Sequence, residues 1–130
     1  NNDVGKKILL KMDIESAEWK VLDEIIEESS ENVVAIILEI HRLYRYEKII
    51  NYVKVLKNIN SKFTLVHLHG NNYGDRFIYG NARLPSVLEL TLINNNLVKE
   101  KSVMTRSLPS EKDYPNINGK EDVILNFWKK

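Results

Sequence analysis

The residues able to do chemistry fall in four short blocks. LLKMDIESAEWKVL, from Leu9 to Leu22, sets Asp13, Glu15 and Glu18 in the seam between an apolar run and a helical pattern. ILEIH places Glu39 and His41 two apart. VHLHGNNY places His67 and His69 two apart, just ahead of Asn71, Asn72 and Tyr73, and LELTL carries Glu89 at mid-run. Residues two apart on a strand share a face, so His67 and His69 could ligate one metal; equally, one of them could be a hydrogen-bonded core histidine, and His67 lies deeper in the strand. A helix dipole favours a carboxylate in its first turn by about 0.3–1 kcal/mol, which suits Glu18 as a solvated residue. It suits Asp13 poorly, because a carboxylate that finishes a buried strand must be paired or desolvated. His41 lies nearer its strand end than Glu39 and is the better candidate of that pair. A buried Glu89 needs a partner, and a histidine of the adjacent strand would serve. Asn71-Asn72 has a plain reading as a turn.

The elements that would position these groups alternate in period. Lys6–Ile14 is short and apolar, Glu15–Ser29 carries Trp19, Leu22, Ile25 and Ile26 at helical spacing, and Asn32–His41 is a β-branched run. A second helix is expected over about Tyr46–Asn58, with Ile49, Ile50, Val53 and Leu56 inward, followed by strands in KFTLVHLH and SVLELTLI. Ser16 is a candidate helix N-cap. Leu97–Met104 reads as a short further strand or edge, and Ser107–Asn118 as a wrapping loop. Helical crossovers are right-handed and join parallel strands, so the first three strands should deliver their carboxyl ends to one rim, where open α/β sheets bind ligands. The strand after the long loop Gly70–Ser86 should run antiparallel beside the second.

Composition narrows the classes. The 130 residues suit one domain, read as an α/β core over 1–105 and a wrapping tail over 106–130. Lys and Arg number 19 against 18 for Asp and Glu, and the nearest approach to a basic cluster is Trp128-Lys129-Lys130, so no nucleic acid partner is expected. The absence of Cys suits the cytoplasm, and no apolar stretch approaches the roughly 20 residues of a membrane span.

Five blocks, LLKMDIESAEWKVL, ILEIH, VHLHGNN, PSVLELTLI and LPSEKDYPN, stand in the order found in FkbM-type methyltransferases. Together they cover nearly the whole chain, which resembles the C-terminal half of such a protein. The resemblance implies an α/β fold, the C-terminal half of the Rossmann-like sheet of class I S-adenosylmethionine-dependent methyltransferases, whose strand order is 3-2-1-4-5-7-6. The present strands would supply 4-5-7-6, with the last pair antiparallel. Ser16 stands where the family usually has Gly, and no G-x-G-x-G occurs. The main cofactor site would therefore lie in a missing N-terminal half, in keeping with a chain that opens on Asn1.

What the resemblance implies for the residues is specific. The reaction would be O-methylation of a hydroxyl on a sugar or related metabolite. Asp13, Glu15, His41 and His69 would be catalytic: the carboxylates would take the acceptor's proton or hold a divalent metal, and a histidine would serve as general base. Asp13 and Glu15 would also face S-adenosylmethionine. Asn71, Asn72 and Tyr73 would contact the small-molecule acceptor, with Tyr73, Phe77 and Tyr79 of the long loop suited to stacking on a sugar ring or simply to packing the loop. No residue is assigned as a dedicated metal ligand.

Two other readings use the same residues. A catalytically silent α/β interaction module needs no gathering of rim polarity, whereas a metal-dependent hydrolase would draw Asp13, Glu15, His41 and His69 into one ligand shell. If the first strand lies at a bare edge, pairing with a second copy into a homodimer is expected.

Overall fold

The computed structural model describes residues 5–28 and 31–128; Asn1, Ser29, Lys129 and Lys130, named above, lie outside them. The chain folds as a mixed α/β unit. Strand β1 (Ile8–Met12), helix α1 (Glu18–Glu28) and strand β2 (Val33–Ile40) come first, then helix α2 (Ile49–Lys62) and strand β3 (Phe63–Gly70). A hairpin of β4 (Arg76–Tyr79) and β5 (Ala82–Pro85) precedes strand β6 (Leu88–Asn94). The main sheet has the order β1-β2-β6-β3. β1 and β2 are parallel, while β6 runs antiparallel to both β2 and β3. The three strands joined through α1 and α2 thus share one direction, and β6 is inserted beside β2 as expected from the sequence.

The core explains why these segments adopt these elements. Leu22, Ile36, Leu38, Ile40, Val55 and Phe63 are essentially fully buried, and each such side chain contributes about 1.5–3 kcal/mol on leaving water. α1 buries Trp19, Leu22 and Ile26, following the sequence periodicity. α2 differs from expectation in extent and in part of its face: it runs to Lys62, and its buried residues are Tyr52, Val55 and Ile59; of the residues expected inward Leu56 packs against the core, while Ile50 is 84% exposed. The reason is Tyr52, whose ring stacks on Trp19 with centroids 3.9 Å apart and so rotates the helix to put the aromatic inward.

Two further segments depart from the sequence reading. The segment Gly70–Ser86 is not simply a loop: it carries the β4–β5 hairpin, which turns at Gly80 with a positive φ of 58° that glycine adopts without strain. Phe77 and Tyr79 pack against Tyr46, whose hydroxyl donates to the Ile78 carbonyl at 2.6 Å. Leu97–Met104 contains no strand, because the Asn94 side chain accepts from Asn96 N–H and tightens Asn95–Leu97 into a 3₁₀ turn.

The tail is part of the core. Leu108 and Leu125 form a backbone bridge, and both are buried together with Val123. Val123 lies against Gly70, where an added Cβ would meet Val123 Cβ at 2.7 Å. β1 pairs with β2 on one side and, among the described residues, forms one edge of the sheet. No helix of the described residues is long and apolar enough to cross a membrane.

Candidate functional site

The carboxyl ends of β1 and β2 bring Asp13, Glu39 and His41 together. One ligand-type atom from each lies within 4.8 Å of the other two. The register explains the meeting: Met12 is opposite Leu38, so Asp13 and Glu39 come next on adjacent parallel strands, and His41 follows two residues later. The turn after β1 adds Glu15. His41 Nε2 stands 3.8 Å from Asp13 Oδ1, 3.8 Å from Glu15 Oε2 and 3.7 Å from Glu39 Oε1.

A fourth carboxylate approaches from behind. Glu18, at the start of α1, is fully buried and closes on His41 Nδ1 with Oε1, while its Oε2 has no hydrogen-bond partner. This overturns the reading of Glu18 as a solvated first-turn residue. Trp19 Nε1 donates to the His41 carbonyl at 3.2 Å, so two successive residues of α1 fix the histidine. Asp13 meets its expectation by pairing rather than by burial: it is half exposed at the open rim, its Oδ1 3.8 Å from His41 Nε2.

Ser16 does not cap α1. Ala17 supplies the carbonyl that accepts from Lys20 and Val21, and the Ser16 hydroxyl is buried without a partner. Glu15 and Ser16 have φ of 52° and 90°, so the chain passes through the left-handed region as it turns from strand to helix. That conformation is a physical reason for glycine at such a position.

His69 sits in a separate cluster on β3. It is 4% exposed, with Nδ1 3.2 Å from Glu89 Oε2 and Nε2 3.1 Å from Asp122 of the tail. The partnership of Glu89 with a histidine of the adjacent strand is therefore realised. His67 and His69 do not converge on one point: His67 pairs with Asp113 at 2.8 Å, and His67, not His69, is the more exposed of the two. The depth ordering expected from sequence is reversed because the tail, through Asp122, covers the end of β3.

The two clusters are joined by one amide. Asn71 donates to Glu39 Oε1 at 3.0 Å and to Glu89 Oε1 at 3.5 Å, and its own oxygen accepts from Tyr73 N–H. Asn72 is buried, with its side chain bonded to the backbone of Ile117 and Lys120. Both asparagines thus have their polar atoms engaged within the protein rather than facing an open site. Tyr73 is 77% exposed.

The electrostatics follow from this arrangement. Burial pushes the Glu39 carboxyl up, with the nearby Asp13 charge acting the same way. Burial acts to lower His41, but the bond to Glu18 and the surrounding carboxylates outweigh it, so its pKa is raised. His69 is likewise raised, burial being outweighed by its bonds to Asp122 and Glu89. Burial would raise Asp113, but the N–H and hydroxyl of Ser110 together with His67 hold it below the usual carboxylate range.

A cleft of ≈ 280 Å³ opens beside the rim cluster, lined by Lys11, Met12, Asp13, Ile37, Leu38, Glu39 and Glu89. The arrangement can take up a proton or hold a cation, with the cleft leaving room for a small molecule. Of the catalytic candidates Asp13, Glu15, His41 and His69, the structure gathers the first three and leaves the fourth across the Asn71 bridge. Glu39 and Glu18 stand outside that catalytic set: the two-residue spacing already paired Glu39 with His41, whereas Glu18, though part of the same acidic seam, reads from sequence as a solvated first-turn acid. Comparison with protein-family models, with curated proteins and with solved structures finds no match.

Proposed function

We propose that this chain forms the C-terminal portion of an S-adenosylmethionine-dependent O-methyltransferase of FkbM type, acting on a hydroxyl of a sugar or related metabolite. The observation that carries the reading is the convergence of Asp13, Glu15, Glu39 and His41 at the shared carboxyl ends of two parallel strands. The strand order β1-β2-β6-β3, with β6 antiparallel, supports it as the counterpart of 4-5-7-6 in the class I sheet. The exposed carboxylates Asp13 and Glu15 fit a cationic cofactor in charge and access, but the absence of G-x-G-x-G leaves its main grip to residues outside this chain.

When bound, S-adenosylmethionine supplies a sulfonium methyl open to in-line displacement. This chain's task is to orient the acceptor hydroxyl in the cleft and to take its proton as oxygen attacks carbon. Glu15 is the carboxylate of the cluster most open to solvent and so the best placed to pass that proton on. Glu18 holds the His41 ring, and Asn71 holds Glu39. Tyr73 offers an exposed ring to a sugar face.

The test uses the gene product that contains these residues. Incubation with S-adenosylmethionine and a panel of sugars should release S-adenosylhomocysteine, and Asp13→Asn should lower the rate by about 10²–10⁴-fold, the usual weight of acid-base catalysis. Failure of that product to bind S-adenosylmethionine would overturn the reading.

A further inference from the structure

We infer that Asp13, Glu39 and His41 bind one divalent transition-metal ion, with Glu15 a further carboxylate at its mouth and Glu18 the residue that positions the His41 ring. The inference deepens the proposed function, on which it rests only for what the metal would polarise, namely the acceptor hydroxyl. The binding itself is a property of these residues.

The first argument is geometric. A metal with ligands at about 2.0–2.2 Å holds adjacent ligand atoms roughly 3–3.6 Å apart. The gaps of 3.7 and 3.8 Å around His41 Nε2 need close by a few tenths of an ångström, and the Asp13 and Glu39 oxygens, within 4.8 Å of each other, draw together around the same ion. These separations are also too long for hydrogen bonds, so Nε2 faces three carboxylates without a bonded partner while His41 is only 9% exposed.

The second argument is the tautomer. With Glu18 accepting from Nδ1–H, the lone pair of a neutral His41 lies on Nε2 and points at Asp13 and Glu39. A carboxylate behind a histidine is the common outer arrangement of metal sites, where it fixes the ring and raises its basicity. Asn71 gives Glu39 the same kind of support.

Charge supplies the third. Four carboxylates surround one imidazole, which even when protonated balances a single negative charge. A dication between Asp13 and Glu39 offsets the mutual repulsion of carboxylates gathered around one ring nitrogen. One nitrogen with two or three carboxylate oxygens suits Zn²⁺ or Mn²⁺, whereas Mg²⁺ and Ca²⁺ favour all-oxygen sets.

Calorimetric titration of Zn²⁺ into the chain, with Mn²⁺ followed by electron paramagnetic resonance, tests this without any methyl donor. One saturable site is expected. Asp13→Asn, at a half-exposed position that leaves the core untouched, and His41→Gln should each weaken it tenfold or more. Glu18→Gln should weaken it by about 10–100-fold in the folded protein, an effect on affinity that a purely structural role would not produce. His69→Gln should leave it unchanged. No saturable site, affinity indifferent to Asp13→Asn, or loss that follows His69→Gln would each overturn the inference, as would equal affinity for Mg²⁺. Metal binding by the chain, with no S-adenosylmethionine binding by the gene product that contains it, would sink the proposed function and leave this site standing; methyl transfer by that product without metal binding would do the reverse.

Discussion

Glu18 on α1 and His41 beyond β2 meet inside the protein, 23 positions apart in sequence, with Glu18 fully buried and one of its oxygens unpartnered. A buried carboxylate is costly unless it is bonded, so this contact links the stability of the helix–sheet packing to the orientation of a rim histidine.

Replacement of Glu18 by Gln keeps the shape and removes the charge. The bond to His41 then loses its charge-assisted character, and stability should fall by about 1–3 kcal/mol. Urea denaturation of the two proteins measures the difference. An unchanged midpoint would mean that the contact contributes nothing to the fold.

Ser16 holds φ at 90° with a buried hydroxyl that bonds to nothing. Glycine removes the left-handed penalty of about 1–2 kcal/mol at the cost of some unfolded-state entropy. Ser16→Gly should therefore stabilise the protein by roughly 1 kcal/mol, read as a rise in thermal midpoint. A fall would show that the hydroxyl has a role the packing hides.

The β3–tail cluster makes stability depend on pH. His69 has its pKa raised above the ordinary 6.5, so the stability it contributes is fully present below 6.5 and is lost as pH rises through the folded-state value. Asp113 has its pKa lowered below the ordinary 3.8, so its contribution is present above 3.8 and is lost as pH falls through the folded-state value. Denaturation midpoints should thus decline upward from about neutral and again in acid. His69→Gln should flatten the upper decline and leave the acid limb in place. A slope unaltered by that change would place the titration elsewhere, His41 being the other raised histidine.

Much of the architecture was legible because it rests on local periodicity. The apolar runs around Leu10, Ile36 and Leu65 became parallel strands, and Leu88–Asn94 took the antiparallel place beside β2. The inward face of α2 was not legible: Ile50 and Val53 are as apolar as Val55 and Ile59, and only the Trp19–Tyr52 stack, a contact between two helices, decides between them. The site divides in the same way. Asp13 and His41 directly follow their strands and Glu15 lies in the turn after β1, and parallel topology brings strand ends together. His69 also ends a strand, yet Glu89 and Asp122 hold it, and Asp122 comes from a tail whose path no periodicity encodes. Glu18 read as an ordinary first-turn acid because burial at a helix start depends on what lies opposite, here His41.

The rim cluster is tested most directly by growing crystals of the chain with Mn²⁺ and calculating an anomalous difference map. One peak is expected, within about 2.0–2.3 Å of His41 Nε2 and of a carboxylate oxygen from both Asp13 and Glu39. A map with no peak there, or with its peak between His69 and Asp122, would contradict the account.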